Sequence, residues 1–88
     1  MKLKPGFVLR NVAGYNVVVP IGEAALDFNG MINLNESGAI LWSMLEKDVA
    51  EEDMVKALLE EYEITEEIAR TDVFAFIKKM REASLIDE

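Results

Sequence analysis

The chain has 88 residues, enough for one small core and too few for a second, so a single domain over residues 1–88 is expected. Its 51% hydrophobic content suits a packed globule and argues against disorder. Seventeen acidic against nine basic residues give a net charge of −8, and there is neither cysteine nor histidine. That balance disfavours phosphate backbones and anionic membranes. The missing residues exclude disulfides, Cys/His zinc sites, iron–sulfur clusters and thiol nucleophiles.

The first half reads as strands. Phe7-Val8-Leu9-Arg10-Asn11-Val12 leads through the turn signal Ala13-Gly14 into Tyr15-Asn16-Val17-Val18-Val19-Pro20, a β-branched hairpin. Pro20 cannot donate to a ladder and ends its strand or lies on an edge. A second hairpin is expected from Ala24-Ala25-Leu26-Asp27-Phe28, Asn29-Gly30 and Met31-Ile32-Asn33-Leu34, because Asn-Gly suits the type I′ turn. Alternation puts Ile32 and Leu34 on the core face, and Met31 and Asn33 on the other.

Three helices follow. Asn35 is an N-cap with Glu36 behind it, and Ala39, Leu41, Trp42 and Leu45 form an apolar stripe to about residue 46. Gly38 costs helix propensity there, which points to the close approach of another backbone. The second helix covers about 50–62, with Met54, Val55, Leu58, Leu59 and Tyr62 inward. Ala50 is a poor cap, so Asp48 or a frayed turn is expected to serve. The third starts at Thr65 and ends near Ala83, with Ala69, Val73, Phe76, Ile77 and Met80 as its core stripe. Leu85-Ile86 reads as a short extended tail. Strands first and helices after predict an α+β fold, winged helix-turn-helix-like, with an N-terminal three-stranded antiparallel sheet and three helices.

Charge is uneven along the chain. Residues 1–22 hold Lys2, Lys4 and Arg10 with no acid, whereas residues 46–67 hold ten acids against Lys47 and Lys56. The acids fall at helix ends and on a polar face, as a solvated surface would place them. No calcium loop or phosphate-cradling glycine loop occurs, and Ser37, Ser43 and Ser84 lack a histidine to activate them. No catalytic residue, cofactor or metal is expected. No apolar run approaches a membrane span, and residues 1–6 lack the apolar core of a signal peptide, so a reduced, cytoplasmic protein is expected.

Two features suit binding. A small sheet has edges, and an unpaired edge at Met31–Leu34 offers free N–H and C=O groups to another chain or to a second copy, giving a monomer or weak homodimer. On the third helix, Arg70, Phe74, Ile77 and Arg81 recur at i, i+4, i+7 and i+11 beside the core stripe. An apolar residue between two arginines suits an acidic, amphipathic peptide. The alternative is that Phe74 closes the core and both arginines are solvated.

The run Val17-Val18-Val19-Pro20…Gly30-Met31-Ile32-Asn33-Leu34-Asn35-Glu36-Ser37-Gly38-Ala39…Leu41-Trp42…Leu45, with Asp72-Val73…Phe76-Ile77…Met80…Leu85-Ile86 further on, resembles the PqqD family over about Phe7 to Ile86. The resemblance implies a RiPP recognition element, a non-catalytic peptide chaperone without cofactor. Such a domain binds the leader segment of a ribosomally made precursor peptide and presents it to a modifying enzyme, often a radical S-adenosylmethionine maturase. The leader adds as a strand. Carried onto this chain, Met31, Ile32, Asn33 and Leu34 would supply main-chain hydrogen bonds, and Arg70, Phe74, Ile77 and Arg81 the opposite wall. A winged-helix DNA-binding regulator is the competing reading, opposed by the acidic second helix. A third is a scaffold that binds a folded partner through the acidic middle.

Overall fold

The computed structural model describes residues 1–27 and 31–87. Its elements in chain order are β1 (Lys2–Leu3), β2 (Phe7–Val12), β3 (Tyr15–Pro20), α1 (Ala24–Asp27), β4 (Ile32–Leu34), α2 (Glu36–Leu45), α3 (Glu51–Glu61), α4 (Glu66–Glu82) and β5 (Ile86–Asp87). This is the expected α+β arrangement: an antiparallel sheet ordered β2-β3-β4, followed by three long helices.

The β2–β3 hairpin turns at Ala13-Gly14, both at positive φ (52° and 85°). Its register pairs Val12 with Tyr15 and Phe7 with Pro20. β4 then pairs with the other side of β3, Ile32 opposite Val18 and Leu34 opposite Asn16. As expected, Leu34 is buried, Ile32 packs against the core, and Met31 is exposed.

Residues 24–27 depart from the expected strand: they form one turn of helix after Gly22, whose φ is +59°. Ala-Ala-Leu favours helix over strand, and a β-reading here rested on the Asn29-Gly30 signal downstream. That turn lies outside the described residues. Two further strands, β1 and β5, are two residues each, too short to make a pattern in the sequence. β1 pairs with β5, Leu3 opposite Ile86, and ties the ends of the chain together. The Leu85-Ile86 tail is thus extended, as expected, but also paired and buried.

The helices start where their caps dictate. Asn35 Oδ1 accepts from the Gly38 N–H at 2.8 Å, and Thr65 Oγ1 from the Ile68 N–H at 3.2 Å. Ala50 has no side-chain acceptor; instead Asp53 accepts from the Ala50 N–H at 3.2 Å. Asp48, the expected substitute cap, pairs with the Met1 amino group. The core joins Val18 and Leu34 from the sheet to Leu41, Trp42 and Leu45 of α2, Met54, Val55 and Leu58 of α3, and all five expected stripe residues of α4. Trp42, 1% exposed, anchors it.

Candidate functional site

β4 is the last strand of its sheet: among the described residues no strand pairs with its outer side. Main-chain groups there are open to a partner, and an edge strand left in this state is a template for another chain. α4 runs beside that edge. Between them lies a cleft of about 340 Å³.

The cleft is built from three elements. Asn33, Leu34 and Asn35 form the strand side. Ser37, Gly38 and Leu41 of α2 form one end. Asp72, Ala75, Phe76 and Lys79 form the helical wall. Leu34, Leu41 and Phe76 are buried and give an apolar floor. Asp72 and Lys79 are exposed and carry opposite charges. They are seven residues apart, about 10 Å along a helix axis.

Gly38 explains how α2 and β4 close up. A Cβ on it would stand 3.3 Å from Leu34 Cβ and 3.0 Å from Asn35 Oδ1. What crowds this glycine is therefore the Leu34 side chain at the end of β4 and the Asn35 cap of its own helix, where another backbone was expected. Ser37 Oγ also donates to Asn35 Oδ1 at 3.1 Å, so one side chain ties down the strand-to-helix corner.

The edge already carries one contact. Lys79 Nζ donates to the Asn33 main-chain carbonyl at 2.9 Å.

The eight residues expected to bind separate into groups. Asn33 and Leu34 line the cleft; Ile32 precedes them on the same strand. Met31, 67% exposed, lies in a second concavity on the outer sheet face with Val12, Tyr15 and Val17. Ile77 is 3% exposed and belongs to the core. Arg70, Phe74 and Arg81 are not among the cleft residues. Phe74 is 62% exposed, so it does not close the core. Arg70 bridges α4 to α3, with Nη1 and Nη2 on the two Glu52 oxygens at 2.7 and 3.0 Å and Nε on Glu66 at 3.0 Å. Hydrogen bonding to Arg70 holds the Glu52 carboxyl below its ordinary range, and those carboxylates raise the Arg70 guanidinium further.

Helix geometry accounts for this division. Position 72 is about 200° from position 70, at roughly 100° per residue. Asp72, Ala75 and Lys79 therefore flank one side of the buried stripe, and Arg70, Phe74 and Arg81 the other. Ile68, exposed and one turn before Asp72, extends the cleft-side row at i, i+4, i+7, i+11. Both flanks have the same spacing, so the wheel identified a flank without saying which one meets the sheet. The signal available for the cleft side was Gly38, whose close approach marks where α2 and β4 meet.

Among the described residues, no group of acidic side chains could hold a metal ion, and no helix is long and apolar enough to cross a membrane. What the arrangement can do is hold an extended chain, through an open strand edge, an apolar floor and one charge of each sign.

The family model for Coenzyme PQQ synthesis protein D (PqqD) matches residues 16–86. No match was found among the curated proteins. Two solved structures share the fold. One is TbiB1 in complex with the TbiA(beta) leader peptide, with TM-score 0.76 and 21% identity over 99% of this chain and 95% of that one. The other is lasso peptide synthetase B1 complexed with the leader peptide, with TM-score 0.73 and 19% identity over 96% and 93%.

Proposed function

Because the chain belongs to the PqqD family, we propose that it is a peptide chaperone that binds the leader segment of a ribosomally synthesised precursor by strand addition and presents it to a modifying enzyme. The observation that carries this is the open outer edge of β4 facing a cleft against α4. An added strand recovers the main-chain hydrogen bonds that the edge leaves open, and the cleft takes the side chains that set specificity. Two similarly folded proteins, each in complex with a leader peptide, support a leader peptide as the ligand.

In this reading Ile32, Asn33 and Leu34 supply the pairing edge, and Met31 its entrance. Ala75 and Phe76 take an apolar side chain of the leader over Leu34 and Leu41. Asp72 and Lys79 flank that anchor. The Arg70–Phe74–Arg81 flank lies on the far side of the helix and is left for a protein partner. That partner is a radical S-adenosylmethionine maturase, and the domain itself performs no chemistry.

Titrating isotope-labelled protein with the precursor peptide encoded beside its gene tests this. Amide shifts are expected at residues 32–34 and along 72–79. Their absence at high micromolar peptide would sink the reading.

A further inference from the structure

The cleft is not empty of interactions before a peptide arrives. The Asn33 carbonyl, at the centre of β4, accepts from Lys79 Nζ at 2.9 Å. An added strand pairing with this edge would bring a main-chain N–H toward that same oxygen. The ammonium then has to yield the acceptor or share it.

From this contact we infer that Lys79 is a latch on the open edge, and that it selects leader segments with an acidic residue beside Asn33. This rests on the strand-addition reading above. Lysine carries a compact charge on a flexible four-carbon stem. Displaced from Asn33, its ammonium stays at the rim of the cleft, beside the incoming strand. A neutral peptide leaves it with water alone, whereas a carboxylate gives it a charge-assisted hydrogen bond in place of the one lost. Lys79 is exposed, so this pair is a rim interaction that sets register and partner choice.

The wall fixes where that acid stands. Lys79 is followed inward by Phe76 and Ala75, three and four residues earlier, or about 5–6 Å along the helix. Same-face side chains of an extended strand are two residues apart, about 6–7 Å. The segment therefore carries its acid two positions from the apolar side chain seated over Ala75 and Phe76. At the far end of the wall Asp72 repels a second acid. The ligand class is an extended segment with an acid and an apolar residue at i and i+2, and no acid at the Asp72 end. The overall charge of −8 would not suggest an acid in the ligand; Lys79 at one end of the wall does.

Randomised ten-residue segments displayed on yeast, selected in parallel on wild type, Lys79→Met and Lys79→Glu, test the inference. Circular dichroism first establishes that each variant is folded. Wild type is expected to enrich Asp or Glu two positions from an apolar residue, and Lys79→Glu to enrich Lys or Arg at that position. Lys79→Met is expected to lose the charge preference and to bind uncharged segments more tightly than wild type, since no ammonium has to leave Asn33. Acid enrichment that persists unchanged in both variants, on segments that still shift residues 32–34, overturns the latch and leaves strand addition standing. Selected segments that shift neither β4 nor α4, or no enrichment at all, overturn strand addition and the latch with it.

Discussion

Arg70 of α4 grips both carboxylate oxygens of Glu52 on α3, at 2.7 and 3.0 Å, while its Nε holds Glu66 one turn back. A planar guanidinium meets a carboxylate in this forked way with little freedom left to either. The contact joins two helices whose packing completes the core, which gives an exposed pair a structural use.

The pair should make stability depend on pH. The Glu52 carboxyl is lowered from an ordinary value of 4.5, chiefly by its hydrogen bond to Arg70. A lowered folded value means that the unfolded chain takes up the proton first. The contribution is therefore complete above the unfolded value and is lost as pH falls through the folded one. In urea titrations, wild type should unfold at a higher midpoint than Glu52→Gln at pH ~7, and the gap should narrow as pH falls below the ordinary carboxyl value of 4.5. Equal midpoints across that range would mean that solvent screening cancels the pair.

Gly38→Ala should destabilise the domain although alanine is the better helix former by roughly 1 kcal/mol. The added Cβ would press on Leu34 Cβ at 3.3 Å and on the Asn35 cap oxygen at 3.0 Å. Overpacking costs about 1–3 kcal/mol and a disturbed cap about 1, so after the helix gain a net loss of about 1–3 kcal/mol is expected by chemical denaturation. A stabilised variant would show that the strand-to-helix corner yields freely.

These features differ in how far the sequence exposed them. The buried stripe of α4 repeats over three turns and its cap residue stands in front of it, so its ends and inward face were legible. The Arg70–Phe74–Arg81 and Asp72–Ala75–Lys79 flanks obey the same spacing on opposite sides of that stripe. Only the position of a sheet formed more than thirty residues earlier in the chain separates them, and no local pattern encodes that. Ala24–Asp27 was drawn toward a strand by a strong turn signal beyond it, against the preference of its own residues. The pairing of β1 with β5 joins the two ends of the chain over two residues each, too short for any period.

That pairing makes Leu85 more important than its place near the C-terminal end suggests. It is fully buried; its N–H donates to the Met80 carbonyl at 2.9 Å and its carbonyl accepts from the Lys4 N–H at 2.8 Å. Leu85→Ala should cost about 2–5 kcal/mol, as for an interior leucine. Against a total of roughly 4–13 kcal/mol for a chain of this length, much of the population would unfold. Urea denaturation measures it, and a loss under ~1 kcal/mol would place the tail outside the cooperative core.

The two flanks of α4 provide the sharpest test of the binding face. Ala75 lines the cleft and is exposed, so Ala75→Arg keeps a good helix former while filling the space an added strand needs. Phe74 is exposed on the opposite flank and makes no part of the cleft. With the precursor peptide as ligand, Ala75→Arg should weaken binding at least tenfold, about 1.4 kcal/mol. Phe74→Ala should leave the dissociation constant within about twofold of wild type, since a side chain outside the interface does not act as an anchor. Both variants should melt near the wild-type temperature. The reverse ranking, with Phe74→Ala abolishing binding and Ala75→Arg sparing it, would move the peptide to the Arg70–Phe74–Arg81 flank.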